Sequence, residues 1–306
     1  MFSAPRAALL FARLAAGFTL VTVALGSVVC ATRSGFDCHS WPGCYPDRFA
    51  PGASDISAAL VANPALEMVH RVIAMSTGGV LIVAAVLVSL APTPTRTLKL
   101  LPWLACLAAG GSALYGRASV LGLGVDAVGA AVDLLCALVA MALSLVTAVV
   151  LGRGARFTLN RVSAPALLAA SVLVTMHVTG QLAAGVRSFT RCLSWPILWL
   201  AHDDNLTMQL LRTGLAVAAV ALLTIAVRAA MRDQAKRVVA VTLAVEVVAV
   251  IALAIAYRAT GTDGGMLGIA LSLASVAVLW TTILLGARAA VRQYVASERP
   301  RDLVTA

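Results

Sequence analysis

EMVHRVIAMSTGGVLIVAAVLVSLA, residues 67–91, opens with Glu67, His70 and Arg71 and then runs twenty residues without another ionisable side chain. An α-helix needs about twenty apolar residues to cross a bilayer core of about 30 Å. A transmembrane barrel strand would instead alternate over about ten residues. Seven more stretches read the same way, near 8–30, 99–116, 125–151, 163–186, 206–228, 238–257 and 265–287. In lipid only helices and closed barrels satisfy their own backbones, so the expected fold is an all-α polytopic membrane protein with eight transmembrane helices. Composition agrees: the 306 residues are 61% hydrophobic and 12% charged, and mean hydropathy is +0.95. Soluble domains carry about 25% charged residues. A water-soluble two-domain enzyme, a disordered chain and a collagen-like chain are thereby excluded.

The net charge of +10 does not point to nucleic acid, because its distribution follows the spans. The N-terminus, the 2–3, 4–5 and 6–7 loops and the C-terminus hold fifteen of the 23 basic residues, among them Arg6, Arg96, Arg153, Arg232 and Arg288. The other side holds Arg33, Arg48, Arg117, Arg187, Arg191 and Arg258, while Arg71 and Arg212 sit just inside spans. The positive-inside rule then predicts cytoplasmic termini, and outer loops that carry the cysteines. Span 1 has no small-residue cleavage site before Arg33 and reads as a retained helix, not a leader.

The chain also repeats itself. Gly26, Arg33-Ser34, Cys38 and Ser40-Trp41-Pro42 recur as Gly180, Arg187-Ser188, Cys192 and Ser194-Trp195-Pro196, at a constant offset of 154. Beyond the following loop the offset is 141, pairing Arg71 with Arg212, Arg117 with Arg258 and Gly124 with Gly265. Two pseudo-symmetric four-helix bundles in tandem follow, residues 1–151 and 152–306, related by an axis along the membrane normal. The copies differ where chemistry is concerned. Glu67, His70 and Asp133 align with Met208, Leu211 and Ala274, and Cys44 aligns with Leu198. One site, in the first half, is the expectation.

Glu67 and His70 stand at i and i+3 and so share one helix face. A charge cluster at a helix end would explain them, as would a site, since ionisable groups inside spans are functional candidates. A neutral imidazole suits an axial haem ligand, and a nearby carboxylate suits proton transfer. Asp133, at comparable depth in span 4, should be protonated or paired, with Arg71 or His70 as possible partners, or else hydrogen-bonded structurally. Cys38 and Cys44 can close a disulfide in the first outer loop, as staple or redox centre. Cys192 lacks its repeat partner and reads as a relic, while Cys30, Cys106 and Cys136 read as small apolar span residues. His177 reads as a satisfied buried histidine before a ligand. His39 and His202 lie in outer loops, and Glu246, in the seventh span, suggests no role beyond pairing with a neighbour. Four histidines without paired spacing give no zinc site.

Taken together, Cys38-x-x-Trp41-Pro42-x-Cys44, Glu67-x-x-His70-Arg71 and the weakened copy Cys192-x-x-Trp195-Pro196 with Leu211-Arg212 resemble the haem A synthase family, along essentially the whole chain. The resemblance implies a plasma-membrane oxidoreductase that takes the ring methyl of haem O to a formyl group, giving haem A for cytochrome oxidase. It implies a substrate haem held between a histidine on span 2, here His70, and one on span 4, where this sequence departs and offers Asp133 as second ligand or hydrogen-bond partner. It implies Glu67 as the catalytic carboxylate, Arg71 in support, and a Cys38–Cys44 disulfide. Haem O synthase and cytochrome oxidase assembly factors are the implied partners. The family also holds a haem b through histidines on spans 6 and 8; here those positions are Leu211 and Ala274, and span 8 has no histidine. A non-catalytic haem-binding or assembly paralogue is the alternative expectation. A transporter, the third, is disfavoured by the scarcity of broken-helix Gly/Pro pairs.

Overall fold

The computed structural model describes residues 5–35, 37–55, 61–92, 95–124, 126–153, 156–183, 192–196, 206–260 and 265–292. Arg187, Arg191, Leu198, His202, Arg299 and Arg301 lie outside them. All eight expected spans are helices: α1 (Arg6–Ala31), α2 (Pro64–Leu90), α3 (Arg96–Val120), α4 (Ala127–Arg153), α5 (Ser163–Ala183), α6 (Leu206–Ala230), α7 (Gln234–Thr260) and α8 (Met266–Ala290). Each is long and apolar enough to cross a membrane. The chain is a polytopic all-α membrane protein.

Polar side chains mark the helix starts. Asn63 accepts from the Ala65 N–H ahead of α2, with Pro64 at the first helical position, where its missing N–H costs nothing. Thr95 caps α3 through the Leu98 N–H, Asp126 caps α4 through Gly129, and Asn160 takes both Val162 and Ser163 at the head of α5. Asp233 accepts from Ala235 N–H before α7 and pairs with Lys236. That lysine and the N–H hold its carboxyl below the ordinary range.

Packing follows the repeat. In the first half α1 lies against α2 and α4, and α3 against α2 and α4; in the second, α5 lies against α6 and α8, and α7 against α6 and α8. The halves meet through α1 on α8, α4 on α5 and α4 on α8. In the repeat α1 corresponds to α5 and α4 to α8, so the first two crossings are one contact made twice. Close approach is a matter of small side chains: α1 buries Ala8, Ala12, Ala15, Ala16, Thr19 and Ser27. Gly286 of α8 is so near α5 that an added Cβ would stand 2.9 Å from Leu167. The core runs continuously from Val23 and Leu138 through Leu173, Leu223, Leu243 and Leu279.

At one end of the molecule a two-residue antiparallel pair, β1 (Arg156–Phe157) with β2 (Val291–Arg292), ties the connection between the halves to the end of α8. Arg153 adds a hydrogen bond to the Arg288 carbonyl there. The opposite end carries both disulfides.

Candidate functional site

The head of α2 is built as a clamp on the loop that precedes it. Glu67 and Arg71, one turn apart, form an ion pair in which the side chains are only 4% and 9% exposed. The second carboxylate oxygen of Glu67 accepts the Asp37 and Cys38 N–H groups, each at 2.9 Å. Arg71 in turn donates to the carbonyls of Ser40, Gly43 (3.0 Å) and Cys38 (3.0 Å). Five backbone groups of residues 37–43 thus converge on one buried pair. Charge-assisted bonds of this kind are roughly twice as strong as neutral ones, and the pair satisfies polar groups that would otherwise be stranded.

The loop encloses the Cys38–Cys44 disulfide, expected from the sequence and present. Both cysteines are at most 1% exposed and pack on Met68 and Tyr45. A sulfur pair sealed this well is a staple, because exchange needs an attacking thiolate to reach it. Arg117, in the last turn of α3, lies over the Trp41 ring of this loop, 5.1 Å from its centroid. Burial pushes the Asp37 carboxyl above its ordinary value, with His39 drawing it partly back.

His70 faces α1. Its ring lies against Gly26, where an added Cβ would stand 3.2 Å from Cε1. Its Nδ1 is buried and has no hydrogen-bond partner. Glycine at 26 is therefore what lets the imidazole lie between the helices. Gly26→Val should displace the ring and cost about 1–3 kcal/mol by overpacking; a lowered unfolding midpoint in detergent, with helical content unchanged in circular dichroism at low temperature, is the expected readout.

Asp133 does not join this cluster: of the readings the sequence left open, the structural hydrogen bond is present and the pairing with Arg71 or His70 is not. Its Oδ1 accepts from the Ser112 hydroxyl of α3 at 2.5 Å. The reason is the order of the bundle: α4 packs on α3 and α1, and α2 lies across the diagonal. The structure thus brings Glu67, His70, Arg71, Cys38 and Cys44 together and leaves Asp133 apart.

The second copy keeps the clamp in reduced form. Arg212, 1% exposed, donates to Ser194 O at 3.1 Å and Met176 O at 3.2 Å. Ser194 is the repeat partner of Ser40, so the two arginines hold equivalent loop carbonyls. Leu211, at the place of His70, is 47% exposed. His177, read from the sequence as a satisfied buried histidine, is buried at 1% with neither ring nitrogen partnered, and Trp195 Nε1 and Ser272 Oγ are likewise buried without partners. Val23, its repeat counterpart, gave no warning of this.

Cys192 is not a relic, and Cys30 is not simply an apolar span residue: the two form a disulfide, with Cα atoms 5.6 Å apart. It joins the last turn of α1 to the loop after α5, and so one half to the other. With Leu198 where a second loop cysteine would stand, the thiol of Cys192 finds the end of α1, which the interface brings beside it. Cys106 and Cys136 are free and half-buried, as expected. Among the described residues no group of three or more His, Cys, Asp or Glu is placed to hold a metal ion. Comparison with protein-family models and with curated proteins found no match to this chain.

Proposed function

We propose that this protein is a haem A synthase-like membrane oxidoreductase, with haem O as substrate and its ring methyl as the group oxidised to a formyl. The proposal rests on the resemblance carried by the Cys38–Cys44 loop and Glu67-x-x-His70-Arg71. The observation that carries it furthest is His70 Nδ1, a buried nitrogen in a membrane span with no hydrogen-bond partner. That is the donor an axial haem ligand requires. A haem ligated there would be held from one face. Asp133, bonded to Ser112, does not supply the other. No histidine pair is present in α6 and α8 for a haem b. Bound haem would supply the iron chemistry; Arg71 and Glu67 would hold the disulfide loop as a fixed wall beside it. The membrane would be the plasma membrane, with both termini in the cytoplasm, and haem O synthase and cytochrome oxidase assembly factors would be partners.

A second reading has an observation of its own. Both Glu67 oxygens are taken by three donors, which leaves a catalytic carboxylate no free face and favours a non-catalytic haem-binding or assembly protein. One experiment separates the two. The protein is purified from cells that make haem O and lack any other haem A synthase, and its absorption spectrum and extracted pigments are recorded. Haem with haem A product supports the enzyme, and haem without it the second reading. No bound haem sinks both. His70→Ala is expected to reduce bound haem about tenfold or more, the scale on which ligand loss acts.

A further inference from the structure

Away from the α2 clamp, a groove of about 490 Å³ runs between the halves, lined by Leu20, Ala24 and Val28 of α1, Glu246 of α7, and Trp280 and Thr281 of α8 among others. The volume lies within the range of small-molecule sites, about 300–1,000 Å³. Its walls are apolar except at one point. There Glu246 Oε1 accepts from the Thr281 hydroxyl at 3.1 Å, while Oε2 is buried without a partner. Glu246 stands near the middle of α7, and Thr281 well inside α8, so the polar point lies deep in the bilayer. Carboxylates at that depth are costly and mark functional positions by default.

The surroundings restrict the occupant. A groove between membrane helices is entered from lipid, so a guest must be lipid-soluble. A plain acyl chain would leave Oε2 as it is. A guest with a flat ring and polar oxygens would use both special features, the Trp280 ring as a stacking surface and the Glu246 carboxyl as a hydrogen-bond partner. We propose that this groove binds the ring head of an isoprenoid quinone or quinol, with Glu246 bonding a ring oxygen and Trp280 against the ring. The proposal is independent of haem binding at His70.

The test uses the full-length protein in nanodiscs and decylubiquinone as probe, read by quenching of tryptophan fluorescence. Saturable quenching is expected, and Trp280→Phe should remove most of its amplitude. Glu246→Leu should weaken the apparent affinity about tenfold, the loss of one buried hydrogen bond to a charged or acidic group. Glu246→Gln, which keeps a hydrogen-bonding group, should stay within about threefold of the native value. Ala277→Phe, which fills the groove from α8, should abolish saturation while Cys30–Cys192 still forms, showing that the fold survives. Quenching that rises linearly with probe, equal affinity in Glu246→Leu, or equal competition by a ringless decyl lipid would overturn the proposal and leave the groove as a seat for acyl chains.

Discussion

Arg71→Ala should destabilise the protein by about 3–5 kcal/mol, the range for removing one partner of a buried ion pair. The magnitude follows from what is left behind. Glu67 would remain 3% exposed with no cation beside it, and the carbonyls of Cys38, Ser40 and Gly43 would lose their donor. Arg71→Lys should recover only part of the loss, because an ammonium cannot present two forked nitrogens to a carboxylate and three carbonyls at once. Glu67→Gln should cost less than Arg71→Ala, since an amide oxygen can still accept from Asp37 and Cys38. Two measurements check this. Unfolding in mixed micelles gives the order of stability, and alkylation after brief mild reduction reports the loop, with Cys38 and Cys44 protected in the native protein and labelled in Arg71→Ala. Native stability and unlabelled cysteines in that variant would remove the clamp from the account.

Cutting the connection between the halves should leave them together until a reductant is added. A protease site placed between Leu151 and Ser163 leaves Cys30–Cys192 as the one covalent tie expected between the fragments. Cleaved protein should therefore migrate at full mass on a non-reducing denaturing gel and at about half mass once reduced. The double variant Cys30→Ser, Cys192→Ser should fall apart without reductant. Its uncleaved form should be less stable by up to about 5 kcal/mol, from the chain-entropy of a loop with sequence separation 162. Membrane insertion already confines the spans before the bond forms, so the measured loss should lie below that ceiling. Fragments that separate without reductant in the native sequence would refute the bridge.

Much of this was legible in the sequence, because hydrophobic runs and repeat offsets are one-dimensional signals. The eight spans come directly from run length. The repeat predicts that Arg71 and Arg212 do equivalent work, and each does hold the matching serine carbonyl. Cys38 and Cys44 are close enough in the chain for loop chemistry to suggest their pairing. The features missed are those that depend on which helices are neighbours. For Asp133 a structural hydrogen bond is among the readings open from the sequence, but not its partner Ser112, which follows from α3, not α2, lying beside α4. Cys30 and Cys192 belong to different halves, and disulfide connectivity is not deducible from sequence alone. The isolation of His177 is a property of its packed surroundings, and the groove at Glu246 exists only where α1, α7 and α8 converge.

The inter-half disulfide also imposes an order on biogenesis. During synthesis Cys30 leaves the ribosome long before Cys192, and the whole first half, with the fifth span, must be inserted before its partner exists. For that interval the end of α1 carries an unpaired thiol within reach of Cys38 and Cys44, which are close in the chain and able to pair early. Early closure of the loop, held by Glu67 and Arg71, removes the two nearest wrong partners. The clamp on α2 is in this sense a custodian of the later bond, and a nascent chain that loses it would be exposed to mispairing before its second half is made.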